Sequence, residues 1–147
     1  MGSEPYYYFV KYNPDIDAAL QELRAREFKA GRYNPVIPHL DFPIGPDSPC
    51  PGAAHKSIDH ALKASGCDGT RSILDLDHVS ATPDYGAVAP FPEEELDRVF
   101  ATHQPTREMI EQSEELFENI ERGQGHYLVA YRDGRPDELF FVGYSCD

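Results

Sequence analysis

From Gly125 to Ser145 the chain reads GHYLVAYRDGRPDELFFVGYS, two runs of aromatic and aliphatic residues on either side of Asp133-Gly134. Residues of these kinds suit a pleated, packed surface. Asp-Gly is a turn dipeptide because both residues tolerate positive φ. The stretch therefore predicts an antiparallel hairpin. Pro136 has no N–H to give to the ladder, so pairing is expected to begin after it, across a connection longer than two residues. Neither run alternates between apolar and polar. Tyr127, Val129 and Tyr131 face one way and Leu128 and Ala130 the other; Leu139 and Phe141 oppose Phe140, Val142 and Tyr144 in the same manner. Strands apolar on both faces need cover on both, and an isolated hairpin is marginal in water. The rest of the chain must supply more strands and covering helices. Gly143, inside the second run, signals a bulge or a close approach, with simple packing relief as the preferred reading.

The first element is a strand, Tyr6 to Tyr12 (YYYFVKY), with Tyr6, Tyr8, Val10 and Tyr12 on one side. Asn13-Pro14-Asp15 is a helix start, a cap followed by proline and an acid. Ile16, Ala19, Leu20, Leu23 and Ala30 then share one side, and Gly31 is a natural stop, so residues 14–30 are predicted helical. Glu27 falls beside that stripe and is expected to be an exposed carboxylate paired with an arginine. From Arg32 to Lys56 six prolines fall within seventeen residues, which rules out regular helix or an internal strand. Tyr33, Val36, Ile37, Leu40, Phe42 and Ile44 make the segment too apolar for a flexible linker. An ordered flap over 32–56, lying across the sheet or a helix pair, is the expectation.

Ser57 caps a short helix, 58–65, that Gly66 ends. Arg71 to Val79 (RSILDLDHV) alternates with period two and reads as a strand. It would hold Asp75 and Asp77 on one face about 6–7 Å apart, with His78 on the other. Gly86 to Pro90 is a short apolar run, a brief additional strand. Pro92 opens a helix with three acids in its first turn. His103-Gln104 breaks it, and a second helix begins at Pro105-Thr106. There Met109, Ile110, Ser113, Leu116, Phe117 and Ile120 follow helical spacing up to Gly123. The sum is one α+β domain over residues 1–147. It has a mixed or antiparallel sheet of four to five strands ending in a C-terminal hairpin, about four helices, and the proline-rich flap.

With 26 acids against 13 Lys and Arg, the net charge is −13. That argues against nucleic acid and against anionic membrane surfaces as partners, and it permits a basic protein. Ten acids and three arginines lie between Phe91 and Arg122, so 32 residues carry −7 of the total. Cys50, Cys67 and Cys146 are odd in number and widely spaced; a reducing, cytoplasmic compartment without disulfides is the simplest account. No signal peptide and no span of the roughly 20 apolar residues a membrane helix needs is expected. Glycine-rich phosphate loops, a GxSxG elbow, HExxH and calcium loops are all missing, and no metal or cofactor is implied.

Two functional readings follow. In the first, the chain is a non-enzymatic interaction or regulatory protein of the immunity type. It binds a basic partner through acidic helices 92–122, with Glu111, Glu114, Glu118 and Glu121 outermost. In the second, a small-molecule binder or enzyme has its pocket between flap and sheet, drawing on Arg32, Tyr33, His39, Asp41, Asp75, Asp77 and His78. His39 and Asp41 have the spacing of a metal or acid–base pair on an extended segment. Asp75 and Asp77 are equally the wet face of an edge strand.

Overall fold

The computed structural model describes residues 4–38, 41–45 and 47–145. The C-terminal hairpin is its centre: β4 (Gly125–Arg132) and β5 (Arg135–Tyr144) pair antiparallel. The connection is tighter than Pro136 suggested. Arg132 pairs directly with Arg135, and Asp133 and Gly134 both take positive φ, +53° and +74°, the two-residue turn whose twist matches that of the strands. Pro136 is accommodated inside the ladder by a register shift at Ala130/Tyr131, which spares the missing N–H. Gly143 carries no bulge. A side chain there would meet the Tyr6 ring at 2.8 Å, so its role is packing relief.

Strand β1 (Pro5–Lys11) pairs antiparallel with the outer side of β5. On the other side β4 pairs in parallel with β3 (Ala87–Pro90), and β3 with the two-residue β2 (His78–Val79). The mixed sheet runs β1-β5-β4-β3-β2. Its two faces pack separate cores, as the doubly apolar hairpin requires. Tyr6, Tyr8, Leu139, Phe141 and Val88 pack with Leu20 and Leu23 of helix α1 (Ile16–Ala30), with Tyr33, Ile37 and Ile44 of the flap, and with Ala61 of helix α2 (Ile58–Ser65). On the opposite face Leu128, Ala130, Phe140 and Val142 pack with Phe100 of helix α3 (Glu93–Phe100) and Ile110 of helix α4 (Arg107–Glu111), and with Leu116 and Ile120 beyond it. Among the described residues four helices and five strands thus make the α+β fold.

Helix α1 is capped by Asp15, whose side chain accepts from Ala18 N–H, while Asn13 accepts from Asp15 N–H and holds the entry turn. Gly31 closes it at φ +78°, and the Gly52 N–H bonds the Ala30 carbonyl at 2.8 Å. A β-carbon at Gly31 would lie 2.2 Å from the Gly52 oxygen. One glycine therefore ends the helix and lets the flap dock against its end.

Two predicted elements are corrected. The strand over 71–79 is mostly a 3-10 turn, Ile73–Asp75, with Ser72 as its cap; only His78 and Val79 pair. Ile73, Leu74 and Leu76 are all fully buried, so the apparent alternation does not sort into two faces. Local side-chain bonds from Ser72 and Asp75 to nearby backbone N–H groups favour the turn over a ladder. The long helix after Pro105 stops at Glu111 and resumes only as a 3-10 turn, Glu115–Phe117. Its apolar positions still face the core, with Ile110, Leu116 and Ile120 buried. On a continuous helix, however, Glu111, Glu114, Glu115, Glu118 and Glu121 would stack at three- and four-residue spacings, where like charges repel.

Candidate functional site

The broken helix leaves part of the sheet uncovered. Between α4, the turn after it and the strands lies a slot of about 490 Å³. Its floor and walls are aromatic and aliphatic: Tyr7 and Phe9 from β1, Phe140 and Tyr144 from β5, and Ile110 and Phe117 from above. Phe9 and Phe140 meet at a ring-centroid distance of 4.8 Å, and Phe117 sits edge-on to Tyr144 at 6.2 Å and to Tyr7 at 6.4 Å. Packed ring edges of this kind hold one another in place. Glu111, Ser113, Glu114 and Arg107 line the polar part of the slot.

Arg107 is fixed three ways. Its guanidinium lies 4.3 Å from the Phe9 ring centroid, its Nε donates to Glu111 at 2.7 Å, and its Nη1 donates to both oxygens of Glu138 at 3.0 and 3.1 Å. The bond to Glu111 and the neighbouring Glu138 hold it charged, above the usual arginine range.

Around β1 from the slot is a second cavity of about 280 Å³, sharing Tyr7, Phe9 and Arg107 with the first. Its other walls are Tyr8, Gly45 of the flap, and Arg26, Glu27 and Arg32 from α1 and its end. Glu27 is not the exposed carboxylate its sequence context suggested. Its side chain is 1% exposed. The predicted arginine pairing does occur: Arg32 grips it with Nε on Oε1 (2.9 Å) and Nη2 on Oε2, and Arg26 Nε adds a bond to Oε2 at 3.1 Å. A carboxylate on the buried stripe is compatible with burial only when paired in this way. The Arg32 Nη1 also donates to Cys50 Sγ at 2.9 Å. Burial of Tyr8, with Glu27 nearby, pushes its phenol above the usual range.

Of the residues predicted to gather between flap and sheet, Arg32 alone lines a cavity that includes both. Tyr33 is fully buried, stacks on Phe28 and shares a 2.8 Å hydrogen bond with His55 Nδ1; it is a core residue. His39 lies outside the described residues, and Asp41 is exposed. Asp75 is a local fastener. Its Oδ1 accepts from the Thr70 N–H and hydroxyl, both at 2.8 Å, and its Oδ2 from the Arg71 N–H at 3.2 Å. Burial raises its carboxyl above the usual range while those donors pull it back. Asp77 and His78 form an exposed pair, Oδ1 to Nδ1 2.5 Å. They sit at the β2 edge, four strand spacings or about 19 Å across the sheet from β1. The two carboxylates therefore have separate partners, and they do not lie on a shared strand face. Among the described residues no cluster of three or more His, Cys, Asp or Glu side chains is placed to hold a metal ion.

The four glutamates expected to meet a partner are all exposed. Glu111 and Glu114 line the slot, and Glu121 lines a third cavity of about 380 Å³ with Glu95, Asn119 and His126. His126 is 5% exposed and its Nδ1 has no partner among the described residues. Burial lowers its imidazole below the ordinary value.

Arg26, Arg107, Tyr7 and Phe9 were not singled out from the sequence. They are separated by up to 100 positions and only sheet pairing brings them together, so no local spacing marks them. The chain matches no protein-family model, no curated protein and no solved structure. Among the described residues no helix is long and apolar enough to cross a membrane.

Proposed function

We propose that this chain is a non-enzymatic interaction protein that holds a basic protein partner. An apolar side chain of the partner sits in the slot beneath α4, and the surrounding carboxylates neutralise the partner's cations. The observation that carries the reading is the coincidence of two features in one place. The 490 Å³ aromatic slot is lined by Glu111 and Glu114, and it lies within the segment holding more than half of the chain's net charge. An apolar anchor in a well-packed pocket supplies most of the binding energy in interfaces of this type. Acidic surroundings supply steering and discrimination. Glu93, Glu94, Asp97, Glu108, Glu118 and Glu121 of the same segment are exposed. Two of the three arginines in the same region are already engaged, Arg98 by Glu95 and Arg107 by Glu111 and Glu138. A reducing, intracellular setting belongs to the same reading, with Cys50 exposed as a thiol.

The test is capture from lysate on immobilised protein at low and at high salt. The wild type is compared with a Glu111→Gln/Glu114→Gln/Glu118→Gln/Glu121→Gln variant and with Phe117→Ala. A basic protein retained at low salt, released at high salt and lost in both variants supports the reading. Retention of no basic protein at low salt, or retention indifferent to both variants, overturns it.

A further inference from the structure

The cavity between the flap and the edge of β1 differs from the rest of this acidic molecule. Its lining contains Arg26, Arg32 and Arg107 against one acid, Glu27, in a chain of −13; Glu111 and Glu138 engage Arg107 from outside that lining. The third cavity, by comparison, has Glu95 and Glu121 and no cation. Solubility accounts for a surplus of acids. It does not account for three guanidiniums at one hollow.

The arginines there are also positioned in advance. Glu27 is buried and takes two bonds from Arg32 and one from the Nε of Arg26, so it orients the Arg32 fork and gives Arg26 one anchor. That leaves the Arg26 Nη groups without a partner among the described residues, on a side chain 49% exposed. Arg107 is held over Phe9 by Glu111 and Glu138 and keeps its Nη2 in reserve. Planar forks fixed by their own partners lose little freedom when they take up an anion. Beside them, Tyr7 and Phe9 present aromatic surface. The 280 Å³ volume lies just below the range that drug-sized ligands occupy.

We infer that this cavity binds a small aromatic carboxylate, its carboxylate group between Arg26 and Arg107 and its ring against Tyr7 and Phe9. The site shares Tyr7, Phe9 and Arg107 with the protein-binding slot and differs from it in ligand chemistry and in its key residue, Arg26, which does not line the slot. Failure of one reading leaves the other standing.

The experiment is an NMR titration of the full chain with phenylacetate, acetate, inorganic phosphate and phenethylamine as probes. Phenylacetate is expected to shift the amides of residues 7–9, 26 and 45 in a saturable manner. Phenethylamine is expected to leave them unmoved. Arg26→Gln should weaken phenylacetate binding about 10-fold or more, the scale of one charge-assisted hydrogen bond. Arg98→Gln, which alters an exposed arginine of α3 paired with Glu95, should not change it. Phe9→Leu should cut the preference for phenylacetate over acetate while the fold, checked by circular dichroism, persists. Saturation by phosphate with no advantage for phenylacetate overturns the proposal. So does equal binding of phenethylamine, or phenylacetate affinity unchanged in Arg26→Gln.

Discussion

Glu27 offers the sharpest test of how this molecule holds together. Its side chain is 1% exposed and its main partner Arg32 is 16% exposed, while Arg26 is 49% exposed and contributes little to the pair. Removing one member of a buried pair costs about 3–5 kcal/mol, because the other charge stays behind without a counter-ion. Here the figure is reduced, since water reaches part of Arg32 and the amide of Glu27→Gln still accepts one hydrogen bond. About 2–3 kcal/mol is the expected loss, or a fall in Tm of about 6–9 °C for a chain of this size. Urea unfolding followed by far-UV circular dichroism measures it as a shift in midpoint at constant slope. A second variant separates the charge from the packing. Glu27→Leu/Arg32→Met places an apolar pair at the end of α1, one member on a helix face that is already apolar and the other just beyond Gly31, and it should return to within about 1 kcal/mol of the wild type. Arg26→Ala should cost about 0.5 kcal/mol or less. The reasoning fails if Glu27→Gln unfolds at the wild-type midpoint, or if the apolar double variant is no more stable than the single one.

Two further outcomes test the frame around the site. Gly134 sits at φ +74° in the hairpin turn, so Gly134→Ala should destabilise by about 1 kcal/mol in the same urea experiment; an unchanged midpoint would mean the turn is not needed in this form. Burial lowers the His126 imidazole below its ordinary 6.5, so the unfolded chain takes up the proton first. The stability that His126 contributes is therefore complete above about pH 6.5 and falls as the pH drops toward the folded-state value. His126→Leu should flatten urea midpoints measured between pH 7.5 and 5.5, and a slope identical to the wild type would remove His126 as its source.

Sequence reasoning succeeded where one physical signal dominated. The double-sided apolar runs at 127–131 and 139–144 required a sheet covered on both faces, and the structure has one. The span of α1 followed from its periodicity and from Gly31, although its cap is Asp15 and not Asn13. It failed where two signals competed. Residues 71–79 alternate like a strand, but Ser72 and Asp75 offer the backbone closer partners than a ladder would. Pro136 seemed to forbid a tight hairpin, yet one bulge absorbs it. The binding cavities were the least legible part. Arg26 and Arg107 each read as an ordinary helix-surface arginine, and only the pairing of β1 with β5 places Phe9 and Phe140 next to them.

The interruption of the helix after Glu111 joins charge to shape, and this link is itself open to test. A continuous helix from 107 to 121 would bring five like-charge pairs into register: 111 with 114 and 115, 118 with 114, 115 and 121. At about 0.2–0.5 kcal/mol each, they oppose it by about 1–2.5 kcal/mol. That is enough to stop a helix whose interior also contains Ser113, a weaker helix former. The slot opens where the helix stops, with Ser113 of the break in its lining. The carboxylates that stop it are among those that rim it, so one run of acids accounts for both parts of the proposed partner site. Glu115→Gln/Glu118→Lys keeps Glu111 and Glu114 at the rim while removing four of the repulsions and making two of them attractive. Allowing for the repulsion the new cation would feel from Arg122, the gain for the helix is about 1–2.5 kcal/mol. Backbone Cα chemical shifts of residues 112–118 should then move to helical values, and far-UV ellipticity should deepen. Capture of a basic partner should weaken with them, both because the slot closes and because Glu118 is itself one of the proposed partner contacts; the Cα shifts report the closure alone. Shifts at 112–118 that stay where they are in the wild type would show that packing of Leu116 and Phe117, and not charge, sets the break.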